Sequence, residues 1–339
     1  MRKILLVVML AAGSLAAPLG AQEPRVKLSE FVYSSAPFPS AHASTVEEVA
    51  GTIVAAWFGG SSEGASDVGI WVARRVENKW TVPIEAANGL QPDGKQYPCW
   101  NPVLFKPKTG ALMLFYKVGP SPHEWWGEVK TSPDGGASWS KARKLPAGIL
   151  GPIKNKPIQL ADGTIISGSS TESGDSPPKW RVHFERSTDR GATWTSSAPP
   201  GEDVNAIQPT ILRAADGHLD AYVRSQASKI FVTSSTDVGA TWSALAPTEL
   251  PNPNAGIDGI TLRDGRELLV FNRSTTDRTP LNVAISSDGK TWTDILQLEK
   301  DPGEYSYPAV IQARDGSVHI TYSWKRRRIK HVVIDPGKP

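Results

Sequence analysis

Apolar residues recur along the chain in short runs that end at turn-forming residues. The run Tyr307-Pro-Ala-Val-Ile passes through Asp315-Gly316 into a second apolar run, and His42-Ala-Ser-Thr-Val precedes the apolar segment 51–57 in the same way. Short runs bounded by turn signals at intervals of about 8–12 residues are typical of β-strands. The pattern predicts an all-β protein.

Segments of this kind, which we call strand openings, recur six times at intervals of roughly 50 residues. They begin at His42, Asn101, Lys156, Gln208, Asp258 and Tyr307. A unit of this length can hold a four-stranded sheet, so the repeat predicts a six-bladed β-propeller with four antiparallel strands in each blade. We expect 27–33 to complete the sheet of the last unit and so close the ring.

A second repeat lies out of phase with the first. Four segments share the order Ser, Asp, Gly and Trp, and these are 132–139, 187–194, 235–242 and 286–292. Each resembles the Asp-box, in which the Asp carboxylate accepts turn N–H groups and Gly adopts a conformation that other residues avoid. We expect the four tryptophans, at 139, 194, 242 and 292, to fill gaps between neighbouring sheets near the outer ends, opposite the pocket.

The first residues resemble a secretory signal peptide of about 21 residues. Arg2 and Lys3 precede a brief apolar stretch, and small residues end near Ala21. The stretch is too short for a good membrane span. We therefore expect a secreted or periplasmic protein, monomeric, whose residues 22–339 form a single propeller domain.

Composition narrows the function classes further. Removing Arg2 and Lys3 lowers the formal charge from +3 to +1, which does not favour nucleic-acid binding. Cys99 is the single cysteine, so no internal disulfide can form. His123-Glu124 lacks a second histidine at metal-binding spacing, and the sequence predicts neither a metal site nor a cofactor.

The six strand openings predict a pocket, because the innermost strands of a propeller start at one end of its channel. All six opening residues are polar or ionisable. They include possible acids, bases and carboxylate binders, although a water-filled channel lined with polar residues would show the same pattern. Further side chains on loops at this end suit sugar binding, namely Trp125, Trp126 and Arg181. Burial between blades is an equally good explanation for the two tryptophans.

The Asp-boxes and strand openings resemble the sialidase (neuraminidase) superfamily across nearly the whole chain after residue 21. Sialidases hold the substrate carboxylate with three arginines, and Arg224 and Arg278 match the second and third. Tyr307, eight residues before Asp315-Gly316, matches the tyrosine nucleophile. The resemblance implies a glycoside hydrolase, an exo-glycosidase, that acts on a terminal carboxylate-bearing sugar such as sialic acid or a uronate.

The chain departs from the family at two positions. The first arginine is replaced at His42-Ala43-Ser44, and the glutamate that activates the tyrosine is replaced by Gln208. A neutral amide cannot take the phenol proton. The family's acid/base aspartate falls on the loop 58–67, where Asp67 or Glu63 can serve.

Three functions stay open for this pocket. In a hydrolase, Asp67 or Glu63 protonates the leaving oxygen while Tyr307 or a water attacks the anomeric carbon. In a polysaccharide lyase, arginine and amide groups neutralise a uronate carboxylate, and His42 or Tyr307 removes the adjacent proton. A carbohydrate-binding propeller would keep the arginines and aromatic residues without any catalysis.

Overall fold

The computed structural model describes residues 23–201 and 204–338, so the predicted signal peptide at 1–21 lies outside the described residues. These residues form six antiparallel sheets and no helix. The predicted six-bladed propeller with four principal strands in each blade is confirmed. In the described part of the chain, no helix has the length and apolar character needed to cross a membrane.

Each of the first three blades runs outward from its innermost strand. Blade 1 contains β2 Ser40–Val49, β3 Thr52–Gly60, β4 Gly69–Val76, β5 Lys79–Trp80 and β6 Ile84–Ala87. Blade 2 contains β7 Cys99–Phe105, β8 Leu112–Val118, β9 Trp126–Ser132 and β10 Arg143–Lys144. Blade 3 contains β11 Ile158–Gln159, β12 Ile165–Glu172, β13 Trp180–Ser187 and β14 Thr195–Ser197.

Blades 4 and 5 also run outward from their innermost strands, and blade 6 joins the two ends of the described chain. Blade 4 contains β15 Ala206–Arg213, β16 Leu219–Ser225, β17 Lys229–Ser235 and β18 Ala246–Pro251. Blade 5 contains β19 Asp258–Thr261, β20 Glu267–Asn272, β21 Leu281–Ser286 and β22 Thr293–Glu299. Blade 6 contains β23 Tyr305–Gln312, β24 Val318–Trp324, β25 Arg328–Asp335 and, outermost, β1 Arg25–Phe31. The expected closure by the first strand is confirmed.

Four innermost strands carry a bulge at the same place. The pairing register slips after His42, Trp100, Ile207 and Ser306. The residues that follow have positive φ angles of 52°, 38°, 61° and 53°, and they are Ala43, Asn101, Gln208 and Tyr307. The alignment of His42 with the other strand openings is therefore wrong by one residue. Ala43 occupies the bulge position, and His42 lies just before it.

The Asp-boxes form the predicted local turns. In the first box Asp134 accepts hydrogen bonds from the backbone of Ala137 and Ser138 and from the Ser132 hydroxyl. These hydrogen bonds, with that from the Ser138 side chain the largest cause, lower the pKa of Asp134.

The Asp-box tryptophans join adjacent blades, as expected. The Trp242 ring stacks on Phe184 of blade 3 with centroids 3.6 Å apart, and Trp292 meets Tyr222 of blade 4 edge-on. Trp242 is buried, whereas Trp139, Trp194 and Trp292 are partly buried.

A chain of buried polar groups fastens the ring closure. His319 Nδ1 lies 3.0 Å from His331 Nε2, and His331 Nδ1 lies 3.1 Å from the Glu30 carboxylate of β1. Arg75 and Trp80 of blade 1 donate to the same carboxylate. Burial opposes ionisation of Glu30, but the hydrogen bonds of His331 and Arg75 prevail and lower its pKa to about 2. Burial, with the neighbouring His331, lowers the pKa of His319 to about 4.

This closure should make the protein less stable in acid. His319 stays neutral in the folded protein down to about pH 4, whereas it binds a proton near pH 6.5 once unfolded. The unfolded state then holds more protons between these values, so the free energy of unfolding should fall by about 3 kcal/mol across that window. Urea unfolding at pH 7, 5 and 4 measures it. The free energy of unfolding of the His319→Gln protein should depend less on pH than that of the wild-type protein. An equal pH dependence in the two proteins would contradict the assignment of this effect to His319.

Candidate functional site

Tyr307 reaches across the channel to blade 4. Its hydroxyl accepts hydrogen bonds from Arg224 Nη1 at 2.8 Å and from Gln208 Nε2 at 3.4 Å. Arg224 Nη1 also donates to Gln208 Oε1 at 3.1 Å, and its Nε donates to Asn254 Oδ1 at 3.0 Å. All three of the predicted residues are buried. The structure therefore brings Tyr307, Arg224 and Gln208 into one cluster, with a guanidinium rather than a carboxylate at the phenol.

Two further arginines, Arg278 and Arg326, lie beside this cluster. The Arg278 guanidinium lies 5.8 Å from the centre of the Tyr307 ring, and the Arg224 guanidinium lies 5.6 Å from it. Arg278 pairs with Glu304 at 2.7 Å, and Arg326 pairs with both Glu304 and Glu63. Two guanidiniums that converge on one point suit a planar carboxylate, which can accept several charged hydrogen bonds.

His42 packs against the Tyr307 ring. Their ring centroids lie 4.3 Å apart, and Phe58 meets the His42 ring edge-on. Among the described residues neither ring nitrogen of His42 has a hydrogen-bond partner. Burial, followed by the charges of Arg326, Arg278, Arg224 and Lys154, lowers its pKa well below 6.5. His42 is therefore a neutral imidazole at neutral pH, and it can accept a proton.

Lys154 forms the floor beneath Tyr307. Its Nζ donates to Asn155 Oδ1 at 2.8 Å, to the Ile257 carbonyl at 2.7 Å and to the Pro308 carbonyl. A Cβ on Gly256 would lie 3.2 Å from Lys154 Cε and 3.3 Å from the Tyr307 ring, so a side chain there would require these neighbours to move by a few tenths of an ångström. The ammonium thus links blades 3, 5 and 6 beside the left-handed backbone of Tyr307. Burial lowers its pKa to about 7.

Replacing Lys154 by methionine should therefore reduce both activity and stability. Three buried oxygen acceptors would lose their donor, at a cost of about 1–3 kcal/mol in the free energy of unfolding. Lys117→Met is the matched control, because Lys117 is also fully buried and donates to the Pro152 carbonyl between blades 2 and 3. Urea unfolding should show a loss for both variants. Turnover should fall for Lys154→Met alone, and equal turnover in the two would contradict the positioning role.

The acidic candidates on the loop 58–67 differ in their surroundings. Asp67 accepts hydrogen bonds from the backbone and hydroxyl of Ser61, whereas Glu63 pairs with Arg326 and so borders the pocket. Glu172 of blade 3 shares this environment. Burial raises its pKa, the Arg224 charge opposes that shift, and the Glu63 charge adds to it. Of the two predicted acids, Glu63 lies with the arginines, and Asp67 is held by its own loop.

Two predicted pocket residues lie further down the channel. Lys156 and Asp258 pair with each other at 2.9 Å, and Asp258 also accepts the Val310 N–H. Lys156 lines a cavity of about 240 Å³ at the carboxyl ends of the innermost strands, beside Arg213 and Thr261. The prediction of a shared floor is wrong for this pair. In blade 3 the alignment is wrong by two residues, because Lys154 rather than Lys156 has the positive φ angle, 74°, of the bulge positions.

The predicted sugar-stacking tryptophans also lie apart from Tyr307. Trp125 is buried against Trp100 and Ile153, and Trp126 packs against Tyr97 on the outer side of blade 2. The alternative of burial between blades therefore applies to Trp125. Asn101 occupies the bulge of blade 2. Arg181 donates to the Trp180 carbonyl and to Asn205 at the rim of blade 3.

Sequence reasoning missed four residues of the cluster. They are Lys154, Asn254, Glu304 and Arg326. Arg326 lies on the β24–β25 hairpin, which corresponds to the loops that carry pocket residues in other blades, so the repeat itself could have indicated it. Lys154 precedes the predicted opening at Lys156 by two residues. Its positive φ angle of 74° matches those of the bulge residues in the other blades, so Lys154, rather than Lys156, takes the bulge position in blade 3.

The repeat pattern and this propeller match a known family of proteins. A family model described as the BNR repeat-like domain covers residues 51–320. The chain belongs to the BNR repeat-like family. No curated protein matches this family member by sequence.

Solved structures share the propeller of this BNR repeat-like protein. A protein of unknown function from Dyadobacter fermentans is 19% identical with a TM-score of 0.76, over 92% of this chain and 98% of that one. A Hadza microbial sialidase is 18% identical with a TM-score of 0.71, over 87% of this chain and 65% of that one. The intramolecular trans-sialidase from Ruminococcus gnavus is 15% identical with a TM-score of 0.71, over 90% and 96%. The chain therefore shares the propeller fold of these sialidases.

Proposed function

We propose that this protein cleaves a glycan next to a carboxylate-bearing sugar. One observation carries the proposal, namely the convergence of Arg224 and Arg278 on the Tyr307 ring, at 5.6 and 5.8 Å. Arg326 adds a third guanidinium through Glu304, which also pairs with Arg278. Glu304 pairs with both Arg278 and Arg326, so a sugar carboxylate that replaces Glu304 would contact both of these arginines. We infer export of the protein from the apolar segment before residue 22.

The groups around Tyr307 favour β-elimination from a uronate as the bond-breaking step. The arginines neutralise the carboxylate and make the adjacent C5 proton more acidic. His42, which is neutral, accepts this proton, and the electron pair forms the C4–C5 double bond as the C4–O bond breaks. The leaving oxygen takes the Tyr307 proton, and Arg224 Nη1 stabilises the phenolate. After the product leaves, His42 gives its proton to water and Tyr307 takes one from water, which restores both groups.

Substrate binding itself prepares His42 for this step. Burial, followed by the charges of Arg326, Arg278, Arg224 and Lys154, disfavours an imidazolium in the pocket. A bound carboxylate brings a negative charge next to these groups and offsets their effect. The basicity of His42 therefore increases when the acidic sugar is present.

Hydrolysis is the second candidate, and the position of Glu63 favours it. Glu63 borders the arginines, and a protonated Glu63 can donate to a glycosidic oxygen while a water attacks the anomeric carbon. The exo-glycosidase implied by the sialidase resemblance would act on sialic acid or a terminal uronate in this way. A covalent route through Tyr307 lacks a general base, because Gln208 stands beside the hydroxyl.

A product assay separates these functions. The protein is incubated with a panel of sialosides and uronate-containing glycans, and released sugar and new double-bond absorbance are scored separately. We expect absorbance from a conjugated C4–C5 double bond with at least one uronate glycan. Release of sugar without that absorbance would establish the hydrolase instead. Saturable binding without either product would reduce the protein to a carbohydrate-binding propeller.

A further inference from the structure

Blade 6 carries a positively charged surface outside the pocket. It consists of Phe31, Trp324, Lys325, Arg327, Arg328 and Lys330, which we call the basic aromatic surface. Lys325 and Arg327 are exposed, and Arg328 and Lys330 are half-buried. None of these four cations forms an ion pair within the described residues, whereas Arg326, in the same hairpin, pairs with two carboxylates.

Aromatic rings hold three of these charges in place. Arg328 and Lys330 lie 4.4 and 4.5 Å from the centre of the Phe31 ring, and Lys325 lies 4.9 Å from the Trp324 ring. The two rings meet edge-on at 5.4 Å. A cation–π contact positions a cation without neutralising it. The charges are therefore ordered in advance and still available to an anion.

The surface is continuous with the pocket. Lys325 and Arg327 flank Arg326, which reaches Glu63 and Glu304. The Lys325 N–H donates to the Glu304 carbonyl at 2.7 Å, and the Tyr305 N–H donates to the Arg278 carbonyl at 2.9 Å. A chain that leaves the pocket past Arg326 would therefore lie directly over the basic aromatic surface.

The opposite face of the propeller carries the Asp-box carboxylates together with basic residues such as Arg190 and Lys290. The four Asp-box carboxylates lie there, and hydrogen bonds from their own turns lower the pKa of each; they belong to Asp134, Asp189, Asp237 and Asp288. These groups stay ionised at neutral pH.

We propose that the basic aromatic surface binds the polysaccharide chain that adjoins the sugar in the pocket, and that this chain carries carboxylates along its length. The inference rests on the proposed function for the identity of the pocket sugar. It adds a substrate class, because it makes a polyanionic glycan the ligand and gives longer chains an advantage over short ones.

Calorimetric binding of galacturonate oligomers tests this surface. The inactive Tyr307→Phe protein is titrated with a short and a long oligomer, with neutral dextran as a negative control. The triple variant K325Q/R327Q/R328Q should bind the long oligomer about tenfold more weakly than the parent does. Its affinity should also depend less on salt concentration than that of the parent. Its affinity for the short oligomer should stay unchanged.

A second triple variant provides the matched control. K141Q/R143Q/R190Q removes the same net charge from exposed residues on or next to the Asp-box turns, and it should bind the long oligomer as the parent does. Arg327→Gln alone, at a fully exposed position, should give a smaller loss in the same direction if the first triple variant unfolds. Equal losses in both triple variants, or none in either, would overturn the inference.

The pocket and the surface can fail separately. If the short oligomer binds and the long one gains nothing, the surface assignment fails and the proposed function stands. If the long oligomer binds through the triple-variant positions while the short one does not bind, the pocket assignment fails and the surface stands.

Discussion

Replacing His42 by alanine should lower kcat by roughly 10²–10⁴ on the uronate substrate, the range for losing a general base. KM should change little, because the arginines that hold the carboxylate remain. Tyr307→Phe should abolish turnover as well, since the leaving oxygen then lacks its proton donor. Stopped assays of the double-bond product at saturating substrate measure both effects.

The pattern across the two variants distinguishes the mechanisms. In a hydrolase that uses Tyr307 as nucleophile, His42→Ala would mainly raise KM, while Tyr307→Phe would still abolish turnover. His218→Ala is the control, because His218 pairs with Asp216 on the opposite face of the propeller. Since burial lowers the pKa of His42, kcat/KM of the wild-type enzyme should also decline only below pH 6.5.

Replacing Arg224 by alanine should weaken transition-state binding of the anionic substrate by about 2–5 kcal/mol, the range for removing one partner of a buried charge pair. The guanidinium serves two purposes, because it faces the expected carboxylate and donates to the Tyr307 hydroxyl at 2.8 Å. We therefore expect KM to rise and kcat to fall together. Arg224→Lys should restore part of the charge but not the bidentate geometry.

Steady-state kinetics on the same glycan measure this loss. Arg190→Ala, at an exposed Asp-box turn on the other face, removes an equal charge far from the pocket and should leave kcat/KM unchanged. A neutral version of the glycan should bind the parent and Arg224→Ala proteins equally poorly. An Arg224→Ala protein with unaltered kcat/KM would exclude the shared carboxylate site.

Much of the architecture was predictable because its signals are local. An Asp-box turn forms from hydrogen bonds among residues that are close in sequence, such as Asp134 with Ala137 and Ser138. Strand length and turn spacing likewise depend on short segments. Six repeats of such a unit leave one simple arrangement, a closed ring, so blade number and closure by β1 followed from the pattern.

Three residues of the site were predictable because each matches a family position. Tyr307, Arg224 and Arg278 were predicted in this way, and the structure places them together. His42 was predicted from an alignment that was wrong by one residue, yet its ring still contacts Tyr307, because the residue before the bulge also faces the cluster. Lys156 and Asp258 matched the repeat and nevertheless lie deeper in the channel.

The sequence by itself determined the all-β class, the six blades, the Asp-box turns and the polar character of the channel. The tertiary structure alone decided that Lys154 reaches Tyr307, that Arg326 joins the arginines, and that Arg224 meets the phenol. These contacts join residues that are about 80 to more than 250 positions apart. No local pattern encodes them, because they depend on where each innermost strand begins and on how the blades close around a common axis.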